Sequence, residues 1–442
     1  MNPEAEELYR MIKLFCIDWR HPKELGWIVR KLERGRMTPQ LARRWLKKIQ
    51  PWIEEQRRCF TPFPPAPSQE ELGQFDIEIG ELIENPGVRV GVRVLDRPRH
   101  IITAGATGAG KSNVLRALIK GFDILNRTGE NFINVLVCDF KGDFTQTADR
   151  LGRDIWDHFS ATDGFRLSCG PPSNCRNQRA WISQYTKVIA SHNSLQYSEG
   201  TLASVMQIAV NLLNASPTDT LVFPSLLLIE QLLDKLPLKM IARKDEYKRT
   251  LQQKIEYLRR ISDKLFDAEK GYDVYEHLIK PKRCAVIDCT GLSPLLAQIL
   301  VNLIALHIMF PRITARQVSN RTNLALIIDE SDTLTCEAAS LIYPERYSPL
   351  AAFMKQMREF GGMLCLGMVF LGQCSRFISS NASYHFILNQ SEPESAMESA
   401  KTLLEPRSVQ LVGSQECGHG IFKESMGPVK YGMLFKADLV EA

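Results

Sequence analysis

The stretch Gly105-Ala106-Thr107-Gly108-Ala109-Gly110-Lys111-Ser112 constrains this chain more than any other. It breaks the apolar run Ile101-Ile102-Thr103-Ala104 and leads into Asn113 and a segment with apolar residues at helical spacing. A strand, a glycine-rich turn and a helix in that order form a phosphate-binding loop and imply a parallel α/β sheet behind it. Glycines let the backbone curl into a nest of N–H groups, and the helix N-terminus adds unpaired donors and a positive dipole end. The spacing assigns nucleotide contact to Gly105, Ala106, Thr107, Gly108, Ala109, Gly110, Lys111, Ser112 and Asn113. Lys111 would reach the β- and γ-phosphates of ATP, and the Ser112 hydroxyl would face Mg²⁺.

The 442 residues, 44% of them hydrophobic, suffice for a large core divided into two or three domains. A net charge of +5 is too small to announce a nucleic-acid binder by itself. Eleven cysteines without CxxC pairs or His/Cys clusters indicate neither a zinc site nor a disulfide framework. Cys138, Cys284, Cys289 and Cys365 lie in apolar runs and read as buried residues of a reducing compartment. No signal-peptide pattern opens the chain, and the apolar stretches 299–310 and 221–233 are too short or too interrupted to cross a bilayer. A cytoplasmic protein without an intrinsic membrane span is expected.

Residues 1–60 form a compositional block of their own, with fourteen Lys and Arg against eight Asp and Glu. Four of the six tryptophans fall there, Trp19, Trp27, Trp45 and Trp52, among apolar residues at helical spacing. Three short helices are expected. The tryptophans serve either as the core of a small bundle or as part of a basic module for DNA or docking, and the first reading is the ordinary one. Residues 61–74 contain a proline-rich linker. The segments 75–79 and 88–94 alternate apolar and polar residues around a turn at Asn85-Pro86-Gly87, as a β-hairpin does.

Strand-like runs at 100–104, 135–138, 285–289, 324–328 and 364–371 then alternate with helical segments such as 295–310. Between 177 and 275 the sheet pattern disappears, and 225–236 and 247–266 read as helices. The stretch from Lys239 to Lys264 is basic at its exposed positions, among them Arg243, Lys244, Lys248 and Arg249, a solvated face by default and a DNA- or partner-facing one in the alternative. The division is therefore a first ATPase segment at 75–176, a helical insertion at 177–275 and a second ATPase segment at 276–442.

The run Leu324-Ala325-Leu326-Ile327-Ile328 ends in Asp329-Glu330, as a buried strand ends at the ligand-binding edge of a doubly wound sheet. Asp329 is placed for the Walker B role on Mg²⁺, and Glu330 to polarise a water for attack on the γ-phosphate. The next strand runs into Gly372-Gln373, whose amide would hydrogen-bond that water or the γ-phosphate. Arg358 precedes that strand and would either complete a neighbouring subunit's site as an arginine finger or pair with a local carboxylate.

These motifs in this order resemble the FtsK/HerA superfamily of DNA-pumping ATPases. The phosphate loop at 102–113, the turn Asp139-Phe140-Lys141-Gly142-Asp143-Phe144, Asp329-Glu330, Arg358-Glu359-Phe360-Gly361 and Phe370-Leu371-Gly372-Gln373 carry the resemblance, which spans residues 75–442. It implies a RecA-like α/β fold with a parallel-rich central sheet, a helical insertion and a small N-terminal helical domain. The insertion resembles that of the coupling ATPases of conjugation and type IV secretion. That likeness implies a homo-oligomeric ring, a hexamer, around double- or single-stranded DNA. A relaxase-like or secretion partner goes with it. The transmembrane helices of coupling proteins have no counterpart here, and Arg346 in the long stretch before Arg358 is a rival for the finger. Two other functions stay open: an ATPase energising protein secretion, and a nucleotide-gated scaffold. Glu330 weighs against the scaffold, because a switch needs no base.

Overall fold

The computed structural model describes residues 2–14, 22–60, 66–192, 271–335, 348–390, 415–429 and 431–440, with residue 412 and scattered positions from 231 to 267. Most of the helices expected at 225–236 and 247–266, and Arg346, lie outside the described residues; the described positions 231, 249, 252, 253, 255, 256, 259 and 260 are helical.

Among the described residues, three helices open the chain: α1 (Pro3–Leu14), α2 (Pro22–Glu33) and α3 (Pro39–Phe60). Their apolar stripes close on a core of their own containing Leu8, Ile12, Leu25, Ile28, Trp45 and Ile49. Trp45 is a core residue, whereas Trp27 stays 41% exposed and meets it edge to face at 5.9 Å. The linker gives way to one helical turn, α4 (Gln69–Leu72), fixed by a reciprocal cap between Ser68 and Glu71.

The main domain follows in the order β1 (Ile77–Leu82), β2 (Arg89–Val92), β3 (Ile101–Ala104), α5 (Lys111–Thr128), β4 (Asn134–Asp139), α6 (Thr145–Leu151) and β5 (Trp156–Ser160). Next come β6 (Leu167–Ser168), α7 (Gln178–His192), β7 (Phe266–Asp267), β8 (Cys284–Asp288), α8 (Pro294–Thr314), β9 (Ser319–Ile328) and α9 (Asp332–Thr335). The chain continues through α10 (Pro349–Gln356), β10 (Phe360–Met368), α11 (Arg376–Asn381), β11 (Tyr384–Leu388), β12 (His419–Glu424) and β13 (Met433–Ala437). Strands β6 and β7 pair with each other, and the rest form one eleven-stranded sheet in the order β2-β1-β13-β12-β11-β3-β10-β9-β4-β8-β5.

From β11 to β5 every neighbouring pair is parallel. From β11 to β2 every pair is antiparallel. The sheet is thus a RecA-like parallel half extended by an antiparallel wing. Strands β3, β4 and β11 are buried along their whole length, the pattern of parallel strands covered on both faces. One face packs on α5 through Val114, Leu115, Leu118 and Phe122. The other carries α8 through Ile299, Leu300, Leu303 and Ile304. Among the described residues α8 is the one helix long and apolar enough to cross a membrane, and it is buried in this core.

Two strands have weaker sequence signals. Strand β5 reads Trp-Asp-His-Phe-Ser and β11 contains His385, so neither forms an unbroken apolar run. His385 is nevertheless fully buried, and burial pushes its pKa down to about 4, which keeps it neutral. At the amino edge of the sheet, Glu424 on β12 accepts from Arg93 at 2.8 Å and pairs with Arg99, tying the antiparallel wing to the entry of β3.

Candidate nucleotide-binding site

Because the strands from β11 to β5 run parallel, their carboxyl ends share one edge. The register puts Ala104 beside Met368, Leu366 beside Ile328, and Cys138 beside Ile328, so the loops after β3, β10, β9 and β4 emerge side by side. Strand β10 separates the phosphate-loop strand from the strand carrying Asp329.

The loop is held from both flanks. Gly105 N donates to Met368 O at 3.1 Å, and Ala106 N to Asn389 O at 2.7 Å. Gly108 and Gly110 have φ of 81° and 108°, the left-handed region that a side chain would oppose. Lys111 folds back, its Nζ donating to Gly105 O at 2.7 Å and Ala106 O at 3.2 Å. Its pKa is lowered, by burial first and by the nearby Lys141 second. The Ser112 hydroxyl donates to Asp143 Oδ2 at 2.8 Å. Asn113 turns away from the loop mouth: its Oδ1 accepts from Val440 N at 2.8 Å and its Nδ2 bonds Asp438 O, so its side chain anchors the C-terminal segment.

Strand β4 ends in Asp139, whose carboxylate accepts backbone N–H bonds from Lys141, Gly142, Asp143 and Phe144 at 2.8–3.3 Å. Burial still raises its pKa against the pull of these donors. Asp139 therefore shapes the turn and leaves the functional contacts to its neighbours. Asp143 takes the Ser112 hydroxyl, and Lys141 Nζ lies 2.6 Å from Glu330 Oε1.

Asp329 is fully buried, and burial pushes its pKa up to about 6. Its Oδ1 accepts from Glu330 N at 2.9 Å, while Oδ2 has no hydrogen-bond partner. An unpaired buried carboxylate oxygen costs about 1–3 kcal/mol or more. Ser112 and Asp143, in contact with each other, and the unpaired Asp329 oxygen are hard oxygen donors on loops of this same sheet edge, so the residue types present fit Mg²⁺. Gly367 on β10 makes room for this carboxylate, since a Cβ there would stand 2.5 Å from Asp329 Oδ1. Glu330 has φ of 50°, a left-handed conformation costing roughly 1–3 kcal/mol for a side-chain residue. Asp332 accepts from Val369 N at 2.9 Å and Phe370 N at 3.0 Å, pinning the exit of β10.

The structure thus brings Lys111, Ser112, Asp329 and Glu330 to one edge. The carboxylates of Asp329, Asp332 and Glu330 all act electrostatically on Lys111. Gln373 sits in the short turn after β10 at the same edge, with its side chain outside the described residues. Arg358 lies elsewhere, just before Phe360 at the amino end of β10 and near buried His100, whose pKa is lowered by burial first and by Arg358 second. Strand β10 spans roughly 25 Å, so Arg358 is remote from its own phosphate loop. Sequence reasoning assigned no role to Asp143, Asp332 or Gly367. The signal for Gly367 was a glycine inside an otherwise apolar strand.

Residues 77–308, more than half the chain, match the family model described as the central domain of helicase HerA. The chain belongs to that family. Its matched span contains the phosphate loop and the turn at Asp139, which makes the site that of a nucleoside triphosphatase. VirB4 of Thermoanaerobacter pseudethanolicus superposes with a TM-score of 0.63 at 14% identity, covering 83% of this chain and 98% of VirB4. The bacterial conjugative coupling protein TrwB gives 0.60 at 12% identity over 85% of this chain and 94% of its own. TrwB bound to a non-hydrolysable ATP analogue gives 0.57 at 14% identity over 86% and 97%. At these identities the likeness establishes the RecA-like fold. No curated protein matches the sequence.

Proposed function

We propose that this protein is an ATP- and Mg²⁺-dependent DNA translocase that works as a ring, a hexamer, in DNA transfer by a mobile element or a related DNA-processing system. The observation that carries the reading is Glu330 standing one residue beyond the buried, half-unpaired Asp329 at the phosphate-loop edge. That pair suits hydrolysis and is superfluous for passive binding. The setting is supported by HerA-family membership and by the fold shared with TrwB, named as a conjugative coupling protein.

In this reading Lys111 leaves the Gly105 and Ala106 carbonyls and takes the β- and γ-phosphates. Ser112 and Asp329 would hold Mg²⁺, with Asp143 behind Ser112, and the chemistry the ion would supply there is neutralisation of phosphate charge. Glu330 leaves Lys141 and accepts the proton of the water that attacks the γ-phosphate, yielding ADP and phosphate. Gln373 orients that water. Arg358, remote from its own site, completes the site of the next subunit. The domain division at 1–60, 61–74, 75–176, 177–275 and 276–442 belongs to the same proposal.

The test is displacement of a triplex-forming strand from linear duplex DNA with ATP present. Displacement by the wild type and none by Glu330→Gln supports the reading. Hydrolysis without displacement, insensitive to DNA, moves the assignment to an ATPase that energises protein secretion.

A further inference from the structure

We propose that helix α2 presents a docking surface for single-stranded DNA, in which Trp27 stacks on a base and Lys23, Arg30, Lys31 and Arg34 take the phosphates. The surface belongs to the N-terminal three-helix unit and shares no residue with the nucleotide site. The choice of DNA over RNA rests on the DNA-motor reading; the surface itself does not.

The apolar stripes of the three helices close on their own core, through Leu8, Ile12, Leu25, Ile28, Leu32 and Ile49. Trp27 is the exception. Among the described residues of this unit it is the one large apolar side chain left exposed. Its ring rests edge to face on Trp45, which fixes it from below. The charge around that ring is one-sided. At about 100° per residue, Lys23, Arg30, Lys31 and Arg34 fall within about 60° of Trp27 around the helix axis, with Glu24 the one carboxylate in that arc. All four cations are exposed. Lys31 Nζ sits 4.9 Å from the Trp27 ring centroid, and on the facing helix Lys48 Nζ sits 4.4 Å from that of Trp45. Among the described residues none of the four pairs with a carboxylate, whereas Arg43 of α3 meets Glu4 of α1 at 2.5 Å.

Cations in one stripe call for a polyanion, and the ring between them decides which. A lipid surface takes up a continuous apolar face, and here the apolar side chains point into the core. Duplex DNA keeps its bases stacked inside, away from a ring on a helix face. A single strand offers phosphates along its length and unstacked bases with open faces. Aromatic rings beside a cationic track hold such strands by stacking, with little regard for sequence. A base arriving on Trp27 takes the place of the Lys31 ammonium, which moves to a phosphate of the same strand.

The experiment measures binding of the full chain, without ATP, to labelled thymidine and uridine oligonucleotides, a duplex hairpin and phosphatidylserine vesicles. The variants are Trp27→Ala, Trp27→Phe and the pair Lys31→Gln with Arg34→Gln, whose side chains lie outside the core. Trp27→Ala is expected to weaken the thymidine strand by about tenfold and leave the duplex unchanged, and Trp27→Phe to keep most of the affinity. The charge pair weakens the strand too and lowers the slope of log affinity against log salt by about 1.4. If Trp27→Ala lowers the melting temperature, the charge pair decides. Unchanged strand affinity in Trp27→Ala or in the charge pair overturns the proposal. So do equal losses of strand and duplex in Trp27→Ala, tighter binding of the uridine strand, and a loss confined to the vesicles, which makes α2 a membrane-facing helix. A wild type that binds the duplex alone overturns this surface and leaves the motor reading standing. One that binds no DNA overturns both.

Discussion

Lys141 Nζ stands 2.6 Å from Glu330 Oε1, so the residue placed to activate water is held by a cation from the neighbouring strand turn. The pair is partly exposed, 27% at the lysine and 39% at the glutamate. The Lys141 pKa is raised: burial acts to lower it, and the Glu330 bond with the surrounding carboxylates outweighs that. Glu330 also carries the left-handed backbone, which makes its pose dependent on what grips it.

If Lys141 is a latch, Lys141→Met frees the base. An exposed ion pair is worth about 0.2–1 kcal/mol, so basal hydrolysis should rise by up to about fivefold and stimulation by DNA should shrink. A steady-state phosphate-release assay checks this, and a fall in the basal rate would instead make Lys141 a phosphate ligand.

Asp329 carries a stability cost that can be titrated. Its folded pKa of about 6 lies above the ordinary aspartate value near 3.8, with burial as the leading cause. The folded state therefore holds the proton more tightly than the unfolded one. The penalty is full above pH 6, shrinks as pH falls, and vanishes below about 3.8. Its size is on the order of 3 kcal/mol. Asp329→Asn should raise the melting temperature of the metal-free protein at pH 7.5, give only about a third of that gain at pH 4.5, and abolish hydrolysis. Thermal melts at the two pH values, with and without Mg²⁺, measure it.

Gly367→Ala should damage both stability and turnover. The new Cβ meets Asp329 Oδ1 at 2.5 Å and Leu115 Cδ1 at 2.9 Å. Overpacking of this kind costs about 1–3 kcal/mol, and the carboxylate must move to relieve it. A lowered melting temperature with ATP hydrolysis lost at saturating Mg²⁺ is the expected outcome.

Arg358 lends itself to a mixing test. Lys111→Ala and Arg358→Ala subunits should each be inactive alone. Mixed in equal amounts, they should recover about a quarter of the wild-type rate, from interfaces that pair an intact loop with an intact arginine. No recovery on mixing would remove Arg358 from the neighbour's site.

Much of the fold was legible because burial on both faces leaves uninterrupted apolar runs. Strands β3, β4, β8 and β9 announced themselves in that way, and Asp329-Glu330 and Lys111-Ser112 followed from where such runs break. Strand β11 was hidden by a buried neutral histidine, and edge strand β5 by its polar residues. Contacts between distant segments were not readable either. The grip of Asp143 on Ser112, the room that Gly367 leaves for Asp329, and the contacts of Asn389 with Gln415 and of Cys417 with Gly108 depend on register between strands far apart in sequence. Asn113 adds another such contact: its side chain anchors residues 438 and 440, a tie that the loop motif does not signal.

Steady-state ATP hydrolysis with and without double-stranded DNA, at low and moderate salt and beside Lys111→Ala, tests the central claim most directly. Strong stimulation that weakens as salt rises, and is absent in Lys111→Ala, is the expected result, because phosphate contacts release counterions. Hydrolysis that ignores DNA at every salt concentration would contradict a DNA motor.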